Sequence, residues 1–244
     1  MLHCIWFGSK ANLAKLESAD CTLPIDSEMI EPVTTIRDLG VLLDSNLTMK
    51  QHVNKVAPAC YCQLRRLRQI RRRVGPEVTT QLVLALVTCR LDYCNSVLPS
   101  LPQSTVEPLQ RVQNTAARMI FNHGRHEHVS PCLIQLHWLP VRFRITCKLC
   151  ILMYNIRAGK CPCYLRDIMR PTIARVTRSG LQSHSDTTSY VTPRPSTKFG
   201  ERAFSFSGPA AWNSLLGDLR TVSDITDFKN KLKAHRFKLA FDIQ

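Results

Sequence analysis

The chain has 244 residues, with 33 Lys and Arg against 18 Asp and Glu, for a formal charge of +15. Its 44% hydrophobic and 21% charged content is that of a folded chain rather than a disordered one. No apolar run approaches the ~18 residues that span a bilayer, so no membrane association is expected, and no basic segment precedes residues 2–7 as a secretory signal requires. Eleven cysteines, an odd number without framework spacing, read as reduced thiols inside apolar segments. The expected setting is intracellular, either nuclear or cytoplasmic.

Residues 1–46 read as short strands around one small helix at 12–18, with an apolar run at 2–7 and a strand over 36–43 closed by Asp44-Ser45-Asn46. From Thr48 the periodicity turns helical. A first helix runs to Arg73 with a kink expected at Pro58, and Gly75-Pro76 breaks it. A second helix starts at Pro76 and carries Leu82, Leu84, Leu86, Val87 and Leu91, apolar on most sides and therefore expected to be central. A third spans 104–121, stopped by Asn122-His123-Gly124. A short helix from Ser130-Pro131 to His137 and an apolar helix over 142–157 follow. Residues 170–200, rich in Ser, Thr, Arg and Pro, read as an extended connection. Phe204, Phe206 and Trp212 then supply an aromatic anchor, and Ser223 or Asp224 caps a last amphipathic helix. The expected fold is mainly α: a multi-helix bundle with a small N-terminal strand region and a long basic loop before a C-terminal helix. Its expected divisions are 1–46, 47–125, 126–170 and 171–244.

The charge is unevenly placed. Residues 1–49 carry three basic and seven acidic side chains, whereas residues 50–76 carry eight basic and none acidic. At ~100° per residue, Leu64, Leu67, Ile70 and Val74 form an apolar stripe with Arg71 at its edge. Arg65, Arg66, Arg68, Arg72 and Arg73 fan over the opposite face, and Lys50 and Lys55 precede them. No acid within this helix can pair with them, and guanidinium binds phosphate bidentately. Lys55, Arg65, Arg66, Arg68, Arg72 and Arg73 are therefore the candidate nucleic-acid contacts. No aromatic for base stacking is expected on this face, which favours the backbone of an RNA, RNA–DNA or DNA duplex. Arg175, Arg178, Arg194, Lys198 and Arg202 either extend that track or form a solvated loop. Lys229, Lys231, Lys233, Arg236 and Lys238 stud the final helix, which suits docking first and an anionic surface second.

Catalytic constellations are sparse. His123, His126, His128, Cys132 and His137 cluster, but without the paired spacing of a zinc site. Cys60-Tyr61-Cys62 and Cys161-Pro162-Cys163 lack the C-x-x-C spacing that activates a thiol. Asp92 and Tyr93 are read as hydrogen-bonding residues. No metal or cofactor is expected.

Several strings occur together: FGSK from Phe7, RDLGVLLDSNLTMKQHV from Arg37, RLDYCNSVL from Arg90, LQRVQNTAARMI from Leu109, HVSPCLIQLHWLPVRFRI from His128, GERAFSFSGPAAWNSL from Gly200 and TDFKNKLKAHRF from Thr226. In this order they resemble the C-terminal part of reverse transcriptases from non-LTR (LINE, jockey-like) retrotransposons. The resemblance implies that residues 1–46 correspond to the last palm strands. It also implies that the Arg-rich helix and the two after it correspond to the thumb, which grips template–primer duplex. Such RNA-directed DNA polymerases hold two metals with aspartates that include an adjacent pair, at sites about 3.5–4 Å apart. Here the eleven aspartates are isolated and no Asp-Asp dipeptide occurs. The expectation is a truncated transposable-element remnant without polymerase activity, able at most to bind nucleic-acid backbone, with the missing polymerase portion as a further partner. The alternatives are a noncatalytic protein-interaction module using residues 204–212 and the final helix, or an element fragment without function.

Overall fold

The structure, a computed structural model, describes residues 3–16, 21–25, 28–124, 126–172 and 189–243. It is mainly helical, with two small antiparallel strand pairs. Among the described residues no helix is long and apolar enough to cross a membrane.

The N-terminal region holds α1 (Lys10–Leu16), then β1 (Leu23–Ile25) paired with β2 (Glu28–Ile30), and β3 (Thr35–Asp38) paired with β4 (Val41–Asp44). The single strand expected over 36–43 is instead a tight hairpin. Leu39 and Gly40 take φ of 43° and 86°, the left-handed pair of a two-residue turn whose twist matches its flanking strands. A leucine at the first position masks that signal, and its side chain is 81% exposed. Residues 2–7 do not form a strand where described; Cys4 makes one isolated bridge to Pro32.

The carboxylate of Asp44 accepts from the backbone N–H groups of Thr48 and Met49, both at 2.9 Å. It fixes the corner, with Met49 left-handed at φ 58°, from which α2 (Lys50–Val83) departs. Helical dihedrals run through Pro58, and the only break is Gly75, at φ 77° and ψ 172°. Only glycine reaches that conformation cheaply. The break reverses the chain: Cys60 Sγ lies 4.0 Å from Val87 O, whereas 27 residues of continuous helix would separate them by about 40 Å. α2 is thus a helical hairpin with limbs on either side of Gly75-Pro76. A π-helical turn (Leu84–Thr88) and α3 (Cys89–Asp92) extend its second limb. That limb buries Thr79, Val83, Val87, Thr88 and Leu91 but leaves Val78, Leu84 and Leu86 exposed. It covers one side of the bundle instead of lying at its centre.

α4 (Gln103–Phe121) packs along this hairpin. Its C-terminus is Asn122, left-handed at φ 60°. Gln110 Oε1 accepts from Val141 N at 2.8 Å and Gln113 Nε2 donates to Leu139 O at 2.9 Å. These two amides clamp the turn between α5 (Ser130–Gln135) and α6 (Val141–Arg157). α5 has no side-chain cap; Ser130 is its first helical residue.

α6 serves two cores. Val141 and Ile145 complete the one built on α2 and α4, and Leu149, Cys150, Met153, Tyr154 and Ile156 enter a second. The second core gathers α7 (Cys163–Ile168), α8 (Phe204–Asn213), α9 (Gly217–Thr221) and α10 (Ile225–Phe241). The expected aromatic anchor is helix α8, and Trp212 is fully buried at its end, 5.8 Å from the Phe228 ring. Tyr154 stacks on Phe228 at 4.6 Å. Asp224 caps α10, accepting from Asp227 N at 2.7 Å.

Candidate nucleic-acid interface

The first limb of α2 carries a strict 3–4 apolar seam: Val53, Ala57, Cys60, Leu64 and Leu67 are buried, the periodicity of a supercoiling contact. The next seam position belongs to Arg71 and the one after to Val74, both half-buried. Ile70, expected in the stripe, is 41% exposed. The substitution of an arginine for an apolar residue has a local cause. The Arg71 guanidinium donates to Met119 O and to Asn122 Oδ1. It thereby adds a second donor to a carbonyl that otherwise accepts only from Asn122 N, at 3.4 Å, and places a cation at the negative end of that helix.

Arg65, Arg66, Arg68, Arg72 and Arg73 are all exposed on the outer side of this limb, as is Lys55. Among the described residues none of these six makes an ion pair. They do not act as one surface. Arg68 and Arg72, with Tyr61, Gln69 and Arg71, line one wall of a cleft of about 830 Å³, and Thr115, Arg118, Met119, Asn122 and His123 of α4 and its terminus line the other. No carboxylate lines it. Arg118, Tyr61 and His123 line this cleft and are not among the contacts expected from the sequence. Tyr61 was legible, because at 100° per residue it falls within about 40° of Arg65, Arg68 and Arg72. Arg118 was not, since only the docking of α4 onto α2 carries it there.

His123 is held in place. Its Nδ1 lies 3.2 Å from Glu127 Oε2 and 3.2 Å from Cys132 Sγ. Burial raises the Cys132 thiol pKa, an effect partly offset by Arg118. His137 faces the other way, with its ring 5.8 Å from Phe237. Among the described residues no group of three His, Cys, Asp or Glu side chains converges as metal ligands would.

No family model, curated protein or solved structure matches this chain.

The remaining basic residues disperse. Arg175 and Arg178 lie outside the described residues. Arg194 and Lys198 are exposed, and Arg202 reaches across to Asn46 O, tying the region before α8 to the end of the β3–β4 hairpin. On α10, Arg236 is buried, not outward-facing, and donates to Ser214 Oγ at 3.0 Å. Lys231 pairs with Asp227 at 2.8 Å. Asp92 binds Arg144 through both carboxylate oxygens, and Tyr93 donates to Leu39 O at 2.5 Å. Both are structural contacts, the first joining α3 to α6 and the second pinning the hairpin tip. Phe228, Leu232 and Trp212 are buried within the second core, so a protein partner could reach them only by unpacking it.

Proposed function

We propose that this chain is a noncatalytic, thumb-like part of a non-LTR retrotransposon reverse transcriptase, and that it holds nucleic-acid backbone on the first limb of α2. The observation that carries the reading is the row of exposed guanidiniums at Arg65, Arg66, Arg68, Arg72 and Arg73 with no carboxylate paired to them among the described residues. Crowded cations without internal partners repel one another until an external polyanion arrives. The helix beneath them is fixed by a buried seam and by the bond from Arg71 to the end of α4, so little ordering opposes binding. The chain contains no Asp-Asp dipeptide to seat two metal ions, so the proposal extends to grip without synthesis.

Binding of this kind releases counterions, and log K falls with log salt by about 0.9 per duplex phosphate contacted. The test is a salt titration of binding to an RNA–DNA hybrid. Replacing Arg65, Arg68 and Arg72 together by Ala flattens the slope by roughly two to three, and the three side chains are exposed, so the fold survives. An unchanged slope overturns the assignment. Templated primer extension by the chain in Mg²⁺ overturns the noncatalytic part.

A further inference from the structure

The cleft between α2 and α4 differs in kind from the convex arginine face beside it. Its walls combine cations with rings. Tyr61 is 38% exposed at its edge, and its hydroxyl has no hydrogen-bond partner among the described residues. It precedes Arg68 by seven residues, or about 10 Å along the same edge of the helix, with Arg65 between them and Arg72 one turn beyond. Across the cleft, Arg118 donates its Nε to Glu127 O at 3.0 Å, which fixes the guanidinium plane and leaves its terminal nitrogens without a partner among the described residues. His123 is oriented by Glu127 and Cys132, as described above.

We infer that this cleft takes one unpaired nucleotide of a single strand, with its base against Tyr61 and its phosphates between Arg68, Arg72 and Arg118. The inference rests on the nucleic-acid reading and narrows it. A duplex keeps its bases stacked inside and offers a ring nothing but its edges, so Tyr61 would contribute little to holding one. A splayed base presents a face of every sequence to an aromatic ring, a sequence-tolerant contact that suits a cleft with no array of base-edge donors. The volume, about 830 Å³, lies within the usual range of roughly 300–1,000 Å³ for small-ligand pockets. Arg71 and Asn122, on opposite walls, are already bonded to each other, which ties the two walls together.

The experiment measures binding of the full chain, by fluorescence anisotropy at fixed salt, to three probes of equal length: a single-stranded RNA, a blunt RNA–DNA hybrid, and an abasic deoxyribose-phosphate strand. Tyr61→Ala weakens single-stranded RNA about tenfold, the scale of one stacked base, and leaves the hybrid unchanged. Tyr61→Trp retains single-strand affinity. The abasic strand binds the wild type about tenfold more weakly than the RNA does. Equal affinity for abasic and normal strands, or an equal loss on hybrid and single strand in Tyr61→Ala, overturns the inference while leaving backbone binding intact. Failure of all three probes to bind overturns both.

Discussion

Arg71 on the first limb of α2 donates a hydrogen bond to Asn122, the left-handed residue that ends α4, and a second to the carbonyl of Met119 in that helix's last turn. One guanidinium in an otherwise apolar seam thus defines where two helices stop sliding past each other. A polar residue at such a seam position fixes register.

Replacing Arg71 by Ala is expected to destabilise the chain by about 1–3 kcal/mol, because the part-buried Met119 carbonyl and the exposed Asn122 amide lose a charged donor. Arg71→Leu restores the apolar seam yet recovers less than half of that loss, since leucine supplies no donor. Urea midpoints of the two variants check this, and a cycle with Asn122→Ala shows coupling between the pair. A leucine variant as stable as the wild type would falsify the capping role.

The position of Arg71 also marks how far the sequence could be read. Helix order, the Gly75-Pro76 break, the Asn122 stop and the Asp224 cap follow from local chemistry, and local chemistry is written in adjacent residues. Helical arithmetic placed Arg71 at the edge of a stripe with Ile70 inside it, and it could not choose between them. The choice is made by the carbonyl of Met119, 48 residues away in the chain. The Leu39-Gly40 turn was missed for a different reason, because a left-handed leucine carries no turn signature and leads straight into the apolar Val41-Leu42-Leu43. The cleft follows the same rule. Its α2 wall is a periodicity, and its α4 wall, with Arg118 and His123, exists only after tertiary docking.

The hairpin–helix contact is expected to weaken in acid through His52. The ring is buried, and its Nδ1 accepts from Leu42 N at 3.4 Å, joining α2 to β4. Burial, with Lys55 adding to it, lowers the folded-state pKa of this histidine below the ordinary imidazole value of about 6.5. The unfolded chain therefore binds a proton that the folded chain resists as pH falls below about 6.5, so folding stability declines from there until the folded pKa is passed. His52→Asn keeps an acceptor that does not titrate and is expected to lessen the difference between denaturation midpoints at pH 7.5 and 5.5. His235, also lowered by burial and by Arg236, leaves part of the dependence in place. An undiminished pH difference in His52→Asn assigns the effect elsewhere.

Gly208 in α8 sits where the second core has no room. A Cβ there would lie 2.9 Å from Met153 Sδ and 3.0 Å from the Phe204 ring. Gly208→Ala is expected to lower stability by about 1–3 kcal/mol through overpacking, although alanine is the better helix former by roughly 1 kcal/mol. Gly217→Ala, whose added carbon meets nothing within 4 Å, is the control and is expected to be neutral or stabilising. Thermal melts of both variants test the contrast, and equal behaviour would remove steric fit as the reason for glycine at 208.

The thiols should divide by burial rather than by sequence spacing. Cys60 and Cys62 sit two apart, yet Cys60 lies in the α2 seam and Cys62 faces solvent. Burial pushes the Cys60 thiol up to about 11, with Arg90 opposing it. Burial likewise raises Cys147 to about 12, reinforced by its neighbour Cys150, and raises Cys150 to about 11 against the pull of Arg236. At pH 8 roughly one such thiol in a thousand or fewer is ionised, and the thiolate is the reactive form. Brief alkylation of the native chain at pH 8, read by peptide mass spectrometry, is expected to mark the exposed Cys62, Cys89 and Cys163 and to spare Cys60, Cys147 and Cys150 until denaturant is added. Native modification of Cys60 at the rate of Cys62 would mean that the seam between the two limbs of α2 opens readily. In that case the rigid platform on which Arg65, Arg68 and Arg72 are displayed would have to be abandoned with it.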